Sequence, residues 1–410
     1  MIGNRHQSSI ERSIIAFLLI AIAIPIVPVS SQTLNHRTEE FSAAKHPSEA
    51  NNDLTIDKNG LLIANVIVDG SAQKAFLDSG SSVILFDIKL AERLSLSRYG
   101  RTTVDTASHT ADLEKTSGFD ISMAGVQLNG LTGRASDLST LSSSSGAAFS
   151  LILGFTPLKS NSIFLDFSRM RISINAPRPS TQASGRDIVK VYKLDIGNGV
   201  PVVQIPVNGK VLRVALDTGM NSDFVVSPSL YSSMVPAGNL QTTLASASVD
   251  GTIQISHFSI VPDMNVLGSD LHDIGLQEDA NNGLTKKLGV DAIAGLRVVR
   301  RFNSYLDFAH HAASFSPSGN RPDPVQKSRS GLQVAYGKNA ALVVHVMANS
   351  PAERSGWHAG DEICSVNGHP AGEVASSPML QDWAKQAPGT VVKLGLCNGE
   401  AKQLVLQKFY

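Results

Sequence analysis

Two short segments with aspartates 139 residues apart limit what this chain can fold into: AFLDSGSSVILF and VALDTGMNSDFVV. In each segment an apolar run ends on an aspartate, Asp78 or Asp217. A hydroxyl residue and a glycine follow before a second apolar run begins. A single Asp-Ser/Thr-Gly says little, because aspartate and glycine are ordinary turn residues. The markers around both copies keep their spacing, however, and a long repeat in register indicates a duplicated domain.

The markers on either side of the aspartates repeat in the same order. Asp69-Gly70 precedes Asp78 by the same distance as Asn208-Gly209 precedes Asp217. Such pairs between apolar runs are strong signals for two-residue hairpin turns. Downstream markers recur at an offset of 141 residues: Ile152-Leu153-Gly154 with Ile293-Ala294-Gly295, and Leu165-Asp166-Phe167 with Leu306-Asp307-Phe308. We therefore predict a mostly β protein with two equivalent lobes.

Chain length and local composition predict further domains and linkers besides the two lobes. A chain of 410 residues is expected to hold two or three domains. Segments rich in proline and small polar residues mark the linkers. The predicted parts are a signal peptide at 1–31, a flexible N-terminal segment at 32–53, the first lobe at 54–175, a linker at 176–188, the second lobe at 189–315, a linker at 316–328 and a C-terminal domain at 329–410.

The N-terminus predicts export. Arg5 and Arg12 flank a polar start, and an apolar run follows from Ile14 to about Val29. Val29 and Ser31 suit a cleavage site before Gln32. We predict a cleaved signal peptide, with an uncleaved membrane anchor as the alternative. Either form places the bulk of the chain in the periplasm or outside the cell, with membrane contact only through this segment if it is uncleaved. An oxidising compartment permits a disulfide between the two cysteines, Cys364 and Cys397, but the sequence leaves that pairing open.

Composition argues against several classes of function. The 35 basic residues balance the 35 acidic residues, and no block of like charge occurs, so nucleic-acid binding has no electrostatic support. The eleven histidines are scattered without metal-ligand spacing, and there is neither a phosphate-binding loop nor a nucleophile elbow. We therefore predict no metal and no cofactor.

A pair of aspartates brought together by two equivalent loops has its own chemistry. Two carboxyl groups about 3 Å apart cannot both ionise, so they share one proton. One then acts as general base on a water molecule, while the other protonates the scissile carbonyl oxygen. Six residues are predicted to support Asp78 and Asp217: the hydroxyl residues Ser79 and Thr218, which bond across to the opposite loop; the glycines Gly80 and Gly219, which allow the tight turns; and Ser82 and Ser222, which bond Asp78 and Asp217 respectively.

These motifs resemble those of the pepsin and retropepsin class of aspartic proteases, and above all bacterial retropepsin-like proteins fused to a PDZ domain. The resemblance implies duplicated, closed-barrel lobes and an endopeptidase that acts on protein or peptide substrates. It also implies a hairpin flap over the cleft, here RTTVDTASHTADLEKT with its tip near Ala107, Ser108 and His109. Met220 stands where the family has a small residue, and either crowds the water or lines a pocket. The alternative is a non-catalytic peptide-binding or scaffold protein that keeps this fold.

The C-terminal segment NSPAERSGWHAGDEICSVNGHPA resembles the PDZ domain of bacterial exported proteases. Ser350-Pro351 is predicted to open a short helix and Asn367-Gly368 to form a hairpin turn. PDZ domains add an extended peptide to a sheet edge and hold its terminal carboxylate with backbone amides. The resemblance places that loop at four residues: Gly331, Leu332, Gln333 and Val334. Trp383 lies either in the opposite wall of the groove or in the core, and the proline-rich linker predicts a domain separate from the lobes.

Overall fold

The computed structural model describes residues 20–21, 52–57, 60–105, 110–138, 149–178, 190–197, 199–247, 253–279, 283–322 and 324–410. The rest of the predicted signal peptide, most of 32–53 and of the first linker, and the predicted flap tip (Ala107, Ser108, His109) lie outside these residues. The described chain is mostly β. Its helices are all too short to cross a membrane as apolar spans.

The strands before the C-terminal domain are β1 Ile20–Ala21, β2 Leu54–Ile56, β3 Leu62–Val68, β4 Ser71–Leu77, β5 Ile84–Asp87, β6 Ser97–Asp105, β7 Thr110–Met123, β8 Val126–Ser136, β9 Leu151–Leu153, β10 Ser162–Asp166, β11 Arg171–Ile174, β12 Val191–Gly197, β13 Val200–Val207, β14 Lys210–Asp217, β15 Phe224–Val226, β16 Gln241–Ala247, β17 Ile253–Val266, β18 Ser269–Glu278, β19 Ala292–Gly295, β20 Phe302–Asp307 and β21 Ala312–Pro317. The C-terminal strands are β22 Leu332–Tyr336, β23 Ala341–Val346, β24 Glu362–Val366, β25 His369–Pro370, β26 Val391–Leu396 and β27 Ala401–Val405. The helices are α1 Ile88–Arg93, α2 Pro228–Met234, α3 Leu284–Leu288, α4 Leu296–Val299, α5 Pro351–Arg354, α6 Ala371–Ser376 and α7 Pro378–Gln381, with 3-10 turns at Thr156–Leu158 and Asp382–Lys385.

The first lobe contains a closed six-stranded barrel. Its strands follow the order β3-β4-β9-β5-β8-β7, and β7 returns to pair with β3 at Val68 and Ile121. Alternating side chains fill the interior, where the rings of Phe86 and Phe119 meet edge to face at 4.8 Å. The strand that precedes Asp78 is β4, so the barrel fixes the direction in which this aspartate leaves the sheet.

The second lobe repeats this order of pairings as β13-β14-β19-β15-β18-β17. Each pair also runs in the same direction as its counterpart, including the parallel pairs β14–β19 and β15–β18. A single registered pair, Val207 with Val266, joins β13 to β17. The predicted hairpin turns are confirmed, because Asn208 and Gly209 have φ angles of 48° and 75°.

A sheet made by both halves connects the lobes. Strand β10 of the first half pairs with β20 of the second, and β11, β21 and β12 extend the sheet on either side. The Leu-Asp-Phe markers lie in or beside this sheet, with Leu165 and Leu306 both buried. Their repetition in the sequence therefore reflects equivalent positions at the junction between the lobes.

The C-terminal domain is a sheet in the order β22-β23-β24-β26-β27, with β25 beside β24. Its core includes both tryptophans, Trp357 and Trp383. The Ser350 hydroxyl caps α5 by accepting the Glu353 N–H, as the sequence predicts. Cys364 and Cys397 form a disulfide that settles the pairing left open by the sequence.

The predicted separation of the C-terminal domain from the lobes is wrong. Part of the linker expected at 316–328 is structured, since β21 extends to Pro317 and the Ser318 hydroxyl donates to the Arg300 carbonyl. Val325 packs against an apolar cluster that joins the second lobe to the C-terminal domain: Phe258, Ile260, Met347, Phe409 and Tyr410. Proline content signals a stiff segment, but it does not reveal whether the flanking domains share an interface.

Candidate active site

Asp78 and Asp217 lie at the ends of equivalent strands, on the outer faces of their sheets. Side chains alternate along a strand, so Phe76 and Asp78 share one face, as do Ala215 and Asp217. The intervening residues point into the lobe cores. Only 2% of Asp78 and 1% of Asp217 is exposed to solvent. Two carboxyl groups so deeply buried require partners that compensate for lost hydration.

The two loops exchange hydrogen bonds through their hydroxyl residues. The Ser79 N–H donates to Thr218 Oγ1 and the Thr218 N–H donates to Ser79 Oγ, both at 2.9 Å. Each hydroxyl then donates to a carbonyl of the other lobe, Ser79 to Leu216 at 2.7 Å and Thr218 to Leu77 at 2.8 Å. The cross-loop bonds predicted for these hydroxyls are therefore present, and they hold the two aspartate loops face to face.

The glycines make this approach sterically feasible. A Cβ atom on Gly80 would lie 2.5 Å from the carboxyl carbon of Asp217, which no side chain tolerates. A Cβ atom on Gly219 would collide with the Asp78 carboxyl group in the same way. Each aspartate thus rests against the glycine of the opposite loop.

Electrostatics favour one shared proton. Burial raises the pKa of Asp78 well above its usual value, and the nearby charge of Asp217 and a hydrogen bond between the two carboxyl groups raise it further. The N–H groups of Gly80 and Ser81 oppose this rise. Asp217 Oδ1 accepts the Gly219 N–H at 2.9 Å, which stabilises its charged form. The pair therefore holds one proton more readily than two separate aspartates would.

The serine predicted to support Asp217 does not bond to it. The buried Ser222 hydroxyl has no hydrogen-bond partner among the described residues, so its predicted bond to Asp217 is absent. The reason is a longer loop: β15 starts at Phe224, seven residues after Asp217, whereas β5 starts six residues after Asp78. Ser82 lies beside Gly199, and its bond to Asp78 stays a prediction.

Met220 of the second aspartate loop packs against Gly295. It is buried, and its Cε lies 3.0 Å from the position that a Cβ of Gly295 would occupy. It belongs to an apolar cluster from both lobes on the faces that carry the aspartates, here termed the cleft cluster. Its members are Leu61, Ile63, Phe76, Val83, Leu85, Leu113, Leu138, Phe149, Ile152, Val200, Val202, Ala215, Met220, Val225, Leu284, Leu288, Val290 and Ile293. Met220 is thus a buried member of this cluster, and both roles considered for it stay predictions.

A buried ion pair close to the second aspartate loop was not predicted. Arg297 Nε lies 3.3 Å from Asp223 Oδ1, and Asp223 Oδ2 accepts the Gly275 N–H at 2.9 Å. Burial nevertheless raises the pKa of Asp223, and the opposing effect of Arg297 is smaller. The sequence signal that could have revealed this pair is the charged residue inside the apolar segment SDFVV, because the equivalent position in the first lobe holds Val83.

No group of histidine, cysteine, aspartate and glutamate side chains suited to a metal ion occurs in the described part of the chain. The paired aspartates have each other, backbone N–H groups and the opposing glycines as neighbours. The arrangement is therefore suited to activating a water molecule by acid–base chemistry.

The four residues predicted for peptide binding lie together at one end of the C-terminal domain. Gly331 has a φ of +79° and faces Ser350 so closely that a Cβ would collide with it. Leu332 and Val334 point into the domain core, and the intervening Gln333 points out of it. Strand β22, which contains Leu332, Gln333 and Val334, is an edge strand and pairs with β23.

The loop before β22 already uses several of its backbone donors. The Arg329 N–H donates to the Ala384 carbonyl, the Gly331 N–H to Ser328 Oγ, and the Leu332 N–H to Ser330 Oγ. Trp383 is a core residue and not an open groove wall, because it is 3% exposed and its indole N–H donates to Tyr336 Oη at 2.8 Å.

Comparison with known families identifies this part of the chain. The PDZ domain family matches residues 321–396. The match begins before the predicted boundary at 329, and β27 extends the same sheet beyond residue 396. No curated protein matches the chain. Residues 321–396 are therefore a PDZ domain, a module that recruits peptides by adding them to a sheet edge.

Proposed function

We propose that the chain is an exported, two-lobed aspartic endopeptidase of the retropepsin-like type, with its PDZ domain recruiting substrate or partner peptides. The observation that carries the proposal is the reciprocal exchange between Ser79 and Thr218, which holds Asp78 and Asp217 against each other. A structural turn needs neither a buried carboxylate nor a partner loop from the other half of the chain.

The two carboxyl groups have distinct roles in this proposal. Asp217, held by the Gly219 N–H, is the general base that takes a proton from a water molecule bound between the carboxyl groups. Asp78, whose pKa is raised by burial and by Asp217, is assigned the shared proton and donates it to the carbonyl oxygen of the scissile peptide bond. A tetrahedral intermediate follows, and proton return to the leaving nitrogen completes hydrolysis.

Export is supported by the disulfide between Cys364 and Cys397, because disulfides persist in oxidising compartments. The apolar N-terminal run supplies the targeting signal in this proposal. Sequencing the N-terminus of protein recovered from periplasm or medium tests the expected cleavage before Gln32.

The activity is tested with unfolded casein at acid and neutral pH, in the presence and absence of pepstatin. Asp78→Asn and Asp217→Asn should each nearly abolish cleavage, because an amide can neither serve as base nor carry the shared proton. Asp195→Asn is the matched control, since Asp195 is an exposed residue on β12. Near-wild-type turnover in either active-site variant would show that the two-carboxylate mechanism is wrong.

One observation favours a second candidate, a peptide-binding protein without catalysis. The aspartates are 2% and 1% exposed, and apolar side chains of the cleft cluster cover the same faces. Water must reach a carboxyl pair for hydrolysis. Wild-type protein that binds unfolded casein but leaves it intact at every pH tested would establish this second function.

A further inference from the structure

Strand β16 of the second lobe contacts the PDZ domain between Gln241 and Ala245. Gln333 of β22 makes a two-point contact with a single residue, Ala245. Its amide oxygen accepts the Ala245 N–H at 2.7 Å, and its amide nitrogen donates to the Ala245 carbonyl at 3.1 Å. A side-chain amide here pairs with the backbone as a neighbouring strand would. Gln333 is 7% exposed, so water does not compete for these bonds.

Further polar contacts surround this bond. His345, the cross-strand partner of Gln333, lies with its Nε2 2.8 Å from Thr243 Oγ1, which also accepts the Ala348 N–H at 2.9 Å. The Thr242 hydroxyl donates to the Ala348 carbonyl at 2.6 Å. The interface thus fixes the register of β16 against the PDZ domain, because a shift of β16 by one residue would place every one of these donors opposite the wrong group.

Apolar contacts complete the interface. Phe258 and Ile260 of β17 pack against Met347, Phe409 and Tyr410 of the PDZ domain. The Tyr410 hydroxyl also accepts the Ser328 N–H, so the loop before β22 belongs to the same unit. Both strands of the hairpin β16–β17 therefore contact the domain that recruits peptides.

The equivalent hairpin of the first lobe has different neighbours. By topology β6–β7 corresponds to β16–β17, and β6 is the last strand of its sheet. Leu113 of β7 packs in the cleft cluster, whereas no residue of β16 or β17 belongs to that cluster. The two hairpins are equivalent in fold but are fixed by different parts of the molecule.

We propose that β22 and the hairpin β16–β17 form one coupled unit, through which an extended peptide added to the outer edge of β22 acts on the second lobe. Gln333 is the coupling residue, because it shares the strand that receives the peptide and bonds directly to β16. Its role here is positional and not chemical. The inference rests on the PDZ domain and its contacts, and it stands whether or not the lobes hydrolyse peptides.

Coupling between two sites is reciprocal, so it can be tested from both sides without a known peptide. Amide hydrogen exchange of the full-length protein is compared among wild type, Gln333→Ala and Thr243→Val. Gln333→Ala should accelerate exchange in β16 and β17 by about tenfold, as expected when two buried hydrogen bonds are lost. Thr243→Val should likewise accelerate exchange in β22 and β23.

Matched controls separate coupling from general loosening. Gln403→Ala changes an exposed glutamine of β27 in the same domain, and Thr132→Val changes an exposed threonine of β8 in the first lobe. Both should leave these amides at wild-type rates. If Gln333→Ala disturbs the whole fold, Gln333→Met keeps the length of the side chain and removes only the two amide hydrogen bonds, so its effect should be confined to β16 and β17. The proposal is overturned if each variant alters exchange only in its own domain.

Discussion

The hydroxyl exchange between the aspartate loops gives the most stringent stability prediction. In Thr218→Val the shape of the side chain is kept, but Oγ1 is lost. The Ser79 N–H then loses its acceptor and the Leu77 carbonyl loses a donor, both in a buried site. A buried polar group left without a partner costs about 1–3 kcal/mol. We therefore expect Thr218→Val to lower the free energy of unfolding by roughly 2–6 kcal/mol.

The assay must report on the lobes. Both tryptophans, Trp357 and Trp383, lie in the PDZ domain core, so urea unfolding should be followed by far-UV circular dichroism and not by tryptophan fluorescence. Thr218→Ser keeps the hydroxyl and should stay within about 1 kcal/mol of wild type, whereas Thr132→Val, an exposed control, should change stability by less than about 0.5 kcal/mol. A folded Thr218→Val protein as stable as Thr132→Val would refute the assigned hydrogen bonds.

Three further predictions concern charge, ion pairing and the disulfide. Because the folded pKa of Asp78 is raised above 3.8, the folded state keeps a proton that the unfolded state releases, and stability falls as pH rises through that range. Asp78→Asn removes this loss, so urea unfolding should show it more stable than wild type at pH 7 and less dependent on pH; lower stability at that pH would contradict the raised pKa. Arg297→Ala removes the nearest cation from the buried Asp223 carboxylate, which keeps the Gly275 N–H and the charge of Arg301, and should cost about 1–3 kcal/mol in denaturant unfolding, an effect that the double variant with Asp223→Asn should partly reverse. Replacing Cys364 and Cys397 by serine opens a loop with a sequence separation of 33 residues and should cost about 4 kcal/mol, which tryptophan fluorescence will detect as earlier unfolding of the PDZ domain; an unchanged midpoint would count against that estimate.

The features predicted correctly from the sequence are local or repeated. Hairpin turns depend on residues that adopt positive φ, so Asn208-Gly209 could be placed without knowledge of the fold. The Ser79–Thr218 exchange could be anticipated because the duplication itself identifies which two loops are equivalent. The missing bond from Ser222 to Asp217 could not, since one additional loop residue shifts this serine relative to its aspartate.

Contacts between distant segments could not be predicted from the sequence. Gln333 and Ala245 are 88 residues apart, and the sequence around a polar side chain does not indicate which distant residue it bonds. The proline-rich character of 316–328 pointed to a spacer, whereas docking is decided by Phe258, Met347 and Tyr410, which the sequence places in three separate segments. Local chemistry predicted the site, but the association of the domains depended on surface complementarity.

Strands β10 and β20 come from the two halves of one chain, so their pairing is an intramolecular association of the halves. Dilution cannot separate halves that belong to one chain, so the aspartate pair should persist at concentrations where a dimer of two identical halves would dissociate. Because the two halves belong to one chain, neither half has to be complementary to an identical copy of itself. A substitution in one half occurs once per molecule and not twice, and the ion pair of Asp223 with Arg297 and the docked PDZ domain are both features of the second half alone.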